Sequence, residues 1–197
     1  PVALRRTVLT WRASEMLAIA GAFYRDLGLR YDTPFWHPLP LVAIFPTAQE
    51  AGIWQLRISD PETGRFIRMD TTSDQSLDAL AQPYGRGIID RCAWVDVRLM
   101  LAAHRAGLLA HGDLIEQRVD PSGIERTVDG VRIGMHTAPL VVHCGGPFDK
   151  LNGLVQVKGE GLTVRIPGLH LTKAVHRGVF VLPTGDDIYR VGATFRS

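Results

Sequence analysis

The sequence predicts an α+β fold, a mixed or antiparallel sheet with packed helices. Three observations lead there. Two segments, Ser14–Leu27 and Thr47–Ile58, combine helical spacing of apolar residues with start signals. The last third, Val155 to Thr194, reads as three strands, the final two forming a hairpin. Helices and strands are interspersed along the chain, with hairpins dominating late.

In chain order, Ser14 is positioned to cap the first helix and Glu15 suits its positive end. Met16, Leu17, Ala20, Phe23, Tyr24 and Leu27 fall on one face, and Gly28 is expected to end the helix. Phe35 to Phe45 reads as extended chain, with Pro38 and Pro40 marking an edge. Thr47-Ala48-Gln49-Glu50 is a capping box for a helix to about Ile58. Asp60 to Gly64 is a turn, Ser73 to Ala81 a short helix, and Gly87 to Val95 a strand. Asp96 caps a helix through Ala106 that Gly107 closes. Leu114–Val119, Ile124–Val128 and Val131–Met135 read as strands joined by turns at 120–123 and 129–130, and Leu140–Val142 as a short buried strand. The late strands are Gln156–Arg165, Gly178–Pro183 and Ile188–Thr194, the last two flanking a Thr-Gly-Asp-Asp turn.

With 197 residues, 46% of them hydrophobic, the chain can build a core and is the size of one domain, or one and a piece. A net charge of +2 argues for neither a nucleic-acid groove nor an anionic membrane surface. No apolar run reaches the ~20 residues of a membrane-spanning helix. Pro1–Arg12 has charge without an apolar centre, unlike a signal peptide, and the missing initiator Met reads as a fragment or a processed chain. Cys92 and Cys144 sit in apolar contexts without CxxC spacing, which reads as buried free thiols in a reducing cytoplasm. One disulfide between them stays open. The seven histidines are scattered without an HxxxH or HxH pair, so no metal site is read, and no nucleophile elbow is present. Arg5, Arg6 and Arg12 read as a solvated basic face.

Particular words go further than periodicity. Lys158-Gly159-Glu160, the run Val179-Phe180-Val181-Leu182-Pro183, a polar turn and Tyr189-Arg190-Val191-Gly192-Ala193-Thr194 resemble a run in the FAD-dependent amine oxidoreductases, the family of D-amino-acid oxidase, glycine oxidase and sarcosine oxidase. Further matches come in the family's order: Pro1 to Trp11, His37 to Leu41, Trp94-Val95-Asp96-Val97, Glu116-Gln117-Arg118-Val119 and Leu140 to Gly146. Each is loose alone; their order is specific, and together they cover nearly the whole chain. The family's GxGxxG turn and its carboxylate-gripping arginine have no counterpart here. The nearest match, Gly159-Glu160-Gly161, lies in a strand context and is rejected as a dinucleotide fingerprint. The resemblance therefore implies an internal piece of a longer protein.

It also implies a division: 1–95 as the first part of a substrate domain, 96–147 as a piece of the FAD-binding domain, and 148–197 as the substrate-domain sheet. The implied activity is oxidation of the C–N bond of a small amine or amino acid by hydride transfer to flavin, with FAD held weakly or not at all by these residues alone. Val119, Cys144, Gly145, Gly146 and Lys158 are implied cofactor contacts and Phe180 a substrate contact. Each has a plainer reading: a core strand for Val119, a turn for Gly145-Gly146, a solvated charge for Lys158. Phe180 stands where the glycine oxidase branch has a substrate-contacting tyrosine. Without the hydroxyl it makes no hydrogen bond to a carboxylate, which favours a bulkier or less polar substrate. Two other functions remain open, a flavoenzyme of the tRNA-modification branch and a non-catalytic small-molecule binding domain. Unpaired strand edges at Leu114–Val119 and Leu140–Val142 would favour self-association.

Overall fold

The computed structural model describes residues 10–146 and 158–196. They divide into two compact units, one from Thr10 to His104 together with Lys158–Arg196, the other from Arg105 to Gly146.

The first unit is built on a seven-stranded mixed sheet with order β3-β4-β2-β10-β11-β12-β9. Its strands are β2 (Leu41–Ile44), β3 (Ile67–Met69), β4 (Arg86–Ile89), β9 (Lys158–Arg165), β10 (Ala174–Arg177), β11 (Val179–Gly185) and β12 (Ile188–Arg196). The β2–β10 pair is parallel and every other pair antiparallel. The α+β class with a mixed sheet is thus the architecture found. The late hairpin forms as the sequence predicts. Asp186 and Asp187 take left-handed φ values of 52° and 58°, the conformation that a two-residue turn needs to match strand twist.

Helix α1 (Ala13–Arg30) starts earlier and ends later than expected. Its N-cap is Arg12, left-handed at φ 50° and paired with Glu15, so Ser14 lies inside the helix. Gly28 stays helical. Its role is close approach: a Cβ there would lie 2.9 Å from the Thr33 carbonyl oxygen, where the chain turns back and the Thr33 N–H donates to Gly28 O. Ala13, Leu17, Gly21 and Leu27 face inward, while Met16 and Phe23 are exposed. Helix α2 (Ala48–Ile58) follows the capping box, the Glu50 N–H donating to Thr47 Oγ1 at 3.2 Å. The expected helix at 73–81 shrinks to a 3-10 turn, Gln75–Leu77, capped by Asp74.

Two long extended runs break. Phe35–Phe45 divides into β1 (Trp36–Pro38) and β2, and Gly87–Val95 into β4 and β5 (Ala93–Val95). β1 and β5 form a separate two-stranded ribbon. Both runs leave the main sheet at the same level. The Leu39 N–H donates to Cys92 O there, while Pro40 O accepts from Ala174 and starts the parallel pairing. Pro40 therefore leads into a central strand, not an edge.

Apolar layers cover both faces of the sheet. On one, α2 and the start of α1 enclose Leu41, Ala43, Ile67, Ile89 and Ala174 with Phe45, Trp54 and Phe66. On the other, Leu77, Leu80, Leu169 and Leu171 cover Val42, Ile44, Ile88, Val175 and Tyr189.

Helix α3 (Val97–His111) leads from the first unit into the second. Asp96 caps it, accepting from the Leu99 N–H at 3.0 Å. Gly107 stays helical, and the left-handed residue after the helix is Gly112, at φ 74°. The second unit carries a three-stranded antiparallel sheet, β6 (Ile124–Thr127), β7 (Gly130–Ile133) and β8 (His136–Ala138). Leu114–Val119 and Leu140–Val142 form no strand among the described residues. Leu140 and Val142 are largely exposed, so the expected buried strand is corrected to open chain.

Candidate functional site

The register of the seven strands defines the site. On the face that carries α2, one row runs Met69–Gly87–Ala43–His176–Phe180–Gly192–Gly161. The next row includes Ile67–Ile89–Leu41–Ala174 and then Leu182–Arg190–Thr163. Helix α2 occupies this face over β3, β4 and β2, with Trp54 directly above Gly87. Over β11, β12 and β9 the same face is open: Phe180, Thr163 and Gly161 are exposed and Leu182 and Arg190 half-buried.

This open half has a definite character. Buried Gly192 pairs with exposed Gly161 on one side and with Phe180 on the other. The strands approach closely there, and a Cβ at Gly192 would come within 3.0 Å of the Glu160 carbonyl oxygen. Phe180 and Leu182 supply apolar surface, and His176 and Arg190 bring polar groups to the same face through strand alternation. An exposed Phe180 and a half-buried Leu182 beside polar groups suit a small amphipathic molecule.

The hairpin tip forms a separate cleft of about 840 Å³. Leu171 and Tyr189 lie buried in it, and Arg165, His170, Asp186 and Asp187 rim it. Phe180 does not line this cleft.

Of the residues singled out in the sequence, Phe180 lies on the open face. Lys158 is at the outer end of edge strand β9, exposed and ion-paired with Glu160 at 2.6 Å. Val119, Cys144, Gly145 and Gly146 belong to the second unit. Val119 is exposed outside any strand, Cys144 is an exposed free thiol, and Gly146 has a left-handed φ of 63°. Cys92 is a half-buried free thiol whose pKa is raised by burial, so the expectation of two buried thiols holds in part. Sequence reading missed His176, Arg190 and the Gly161–Gly192 pair. The available signal was the alternation Tyr189-Arg190-Val191-Gly192, which turns Arg190 away from the core once Tyr189 is known to be buried.

The α+β architecture with its mixed sheet is one that a solved structure shares. Glycine oxidase from Geobacillus kaustophilus matches with a TM-score of 0.64 at 22% identity, covering 93% of this chain and 55% of that one. The likeness is one of fold, and the chain spans about half the length of that enzyme. No family model matches the chain.

No described helix is long and apolar enough to cross a membrane.

Proposed function

We propose that the chain is part of an FAD-dependent oxidoreductase that oxidises the C–N bond of a small amine or amino acid. The observation that carries this reading is the open half of the sheet face, with exposed Phe180 and Gly161 in one row, in a chain whose fold matches a glycine oxidase over 93% of its residues. The described residues fit a flavin in part. Exposed Gly161 on the edge strand, in the same row as Phe180, leaves that part of the face without a side chain, while the sequence holds no GxGxxG turn for a diphosphate.

Flavin, when bound, accepts the electrons withdrawn from the carbon next to the amine. This chain's residues bind and orient. Phe180 and Leu182 form an apolar wall that holds the substrate body and excludes water. In this reading the unit of the first 104 residues with 158–196 is the substrate domain. Val119, Cys144, Gly145 and Gly146 of the second unit are the cofactor contacts that this reading proposes.

The test uses the complete protein that contains this chain. Purified protein is titrated with FAD, followed by visible absorbance, and then mixed with amines without oxygen. Stoichiometric flavin and its bleaching by an amine are expected. A complete protein that retains no flavin overturns the proposal.

A further inference from the structure

We infer that the hairpin-tip cleft is a second ligand site, one that takes a small organic cation of the amidinium or guanidinium type carried on an apolar body. Its wall belongs to the face of the sheet opposite Phe180, and the inference does not rest on the oxidoreductase reading.

Two turns with left-handed residues build the cleft. Asp186 and Asp187 close the β11–β12 hairpin at φ 52° and 58°, and His170 has φ 46° in the loop that follows β9. The Ile166 N–H donates to Asp187 O at 2.9 Å and joins that loop to the hairpin tip. The wall is supplied by Leu171 and Tyr189, both buried in the apolar layer of this face. Tyr189 is 3% exposed and lines the cleft, and its hydroxyl has no hydrogen bond among the described residues. A polar group on a largely buried side chain is costly to leave without a partner, and a ligand N–H would supply one.

The rim sets the charge. The exposed Asp186 carboxylate has no ion pair or hydrogen bond among the described residues. Asp187 is half-buried, and His170 Nδ1 stands 3.8 Å from its carboxylate, beyond hydrogen-bond range. Arg165, at the end of β9 opposite Ile188, is likewise without an ion pair. With His170 neutral, two carboxylates outnumber one guanidinium, which favours a cation. A planar amidinium meets a carboxylate through two parallel N–H bonds, while the ring that carries it covers Leu171 and Tyr189. A cleft of about 840 Å³ has room for such a molecule.

The experiment titrates benzamidine and its neutral counterpart, benzamide, into the complete protein by calorimetry. Wild type is expected to bind benzamidine at least about tenfold more tightly, the size of a charge-assisted contact. The Asp186→Asn/Asp187→Asn double variant should lose that preference. Asparagine tolerates the left-handed backbone of both positions, so the turn stays while the charge goes. Tyr189→Phe should weaken benzamidine binding about threefold or more through the lost hydrogen bond. Arg165→Gln should keep or raise the preference, since it removes only a like charge. If the double variant fails to fold by circular dichroism, the two single variants decide, and each should lose part of the preference. A wild type without the preference, a folded aspartate variant with the full preference, unchanged benzamidine affinity in Tyr189→Phe, or a preference lost in Arg165→Gln overturns the inference. Benzamidine binding that Gly161→Val weakens and the aspartate variants leave intact places the cation on the open half of the α2 face and overturns it as well.

Discussion

Trp54 lies directly over Gly87. A Cβ at Gly87 would sit 2.2 Å from Trp54 Nε1, and that Nε1–H donates to the Arg68 carbonyl at 3.2 Å. The glycine lets α2 descend onto β4, and the indole's bond to β3 fixes the helix across both strands. This contact closes one half of the sheet face and so defines the half that stays open. Gly87→Ala should lower stability by about 2–3 kcal/mol, because the added methyl would overlap the buried indole. Urea denaturation of the purified chain checks it.

Arg86 and Asp70 form the most enclosed ion pair among the described residues, Arg86 Nε to Asp70 Oδ2 at 2.8 Å. Arg86 also donates to Gln82 Oε1 and Thr72 O. Burial pushes the Asp70 carboxyl up, but hydrogen bonds from Thr72 and Arg86 together hold it below the usual range. The pair thus ties the segment between β3 and β4 to the sheet. Arg86→Met should cost about 3–5 kcal/mol by leaving a buried carboxylate unpaired. Adding Asp70→Asn should restore part of that loss in a double-mutant cycle.

Asp74 ties the same segment to Lys173, just before β10, and its pKa is lowered to about 2 by hydrogen bonds from Lys173 and Ser76. A carboxylate whose folded pKa lies below its unfolded value stabilises the fold fully above that unfolded value, near ~4. The contribution vanishes as pH falls toward the folded pKa. Stability should therefore drop by about 1–2 kcal/mol between roughly pH 5 and pH 2 from this group. Asp74→Asn should remove that part of the acid dependence while lowering stability at neutral pH. Melting temperatures at several pH values test the sign.

Features decided by neighbouring residues were legible in the sequence. The Thr47 N-cap and the Asp186-Asp187 turn each depend on a few adjacent side chains and backbone angles, and both formed as expected. Features decided by distant pairing were not. β10 is the short run Ala174-Val175-His176-Arg177, and its parallel partner β2 lies more than 130 residues earlier. Local pattern carries no signal for that pairing. The breaks in Phe35–Phe45 and Gly87–Val95 have the same origin, since one apolar run can serve two sheets. For the candidate site, Phe180 was found through the family-like words around it. Arg190 needed the register of β11 and β12 to show which face it shares. Gly161 was read as part of a rejected fingerprint, and its role emerged only with Gly192 opposite it.

Gly161 offers a direct test of the open face. A Cβ there would meet Val191 O at 3.5 Å, an ordinary van der Waals contact, and Gly161 has no left-handed φ. β9 is an edge strand, and Gly161 is exposed. Valine suits extended backbone, so Gly161→Val should keep or slightly raise the melting temperature. Its side chain would stand up from the open face in the row of Phe180, where the ligand would lie. On the proposed flavoenzyme reading, this variant should bind FAD or an amine ligand at least about tenfold more weakly, as expected from a steric block on a packed surface. Thr163→Val, one row away on the same strand, should change binding far less. Unchanged ligand affinity in a folded Gly161→Val protein would show that the ligand rests elsewhere on the molecule. A loss of binding at constant stability would place it on this face.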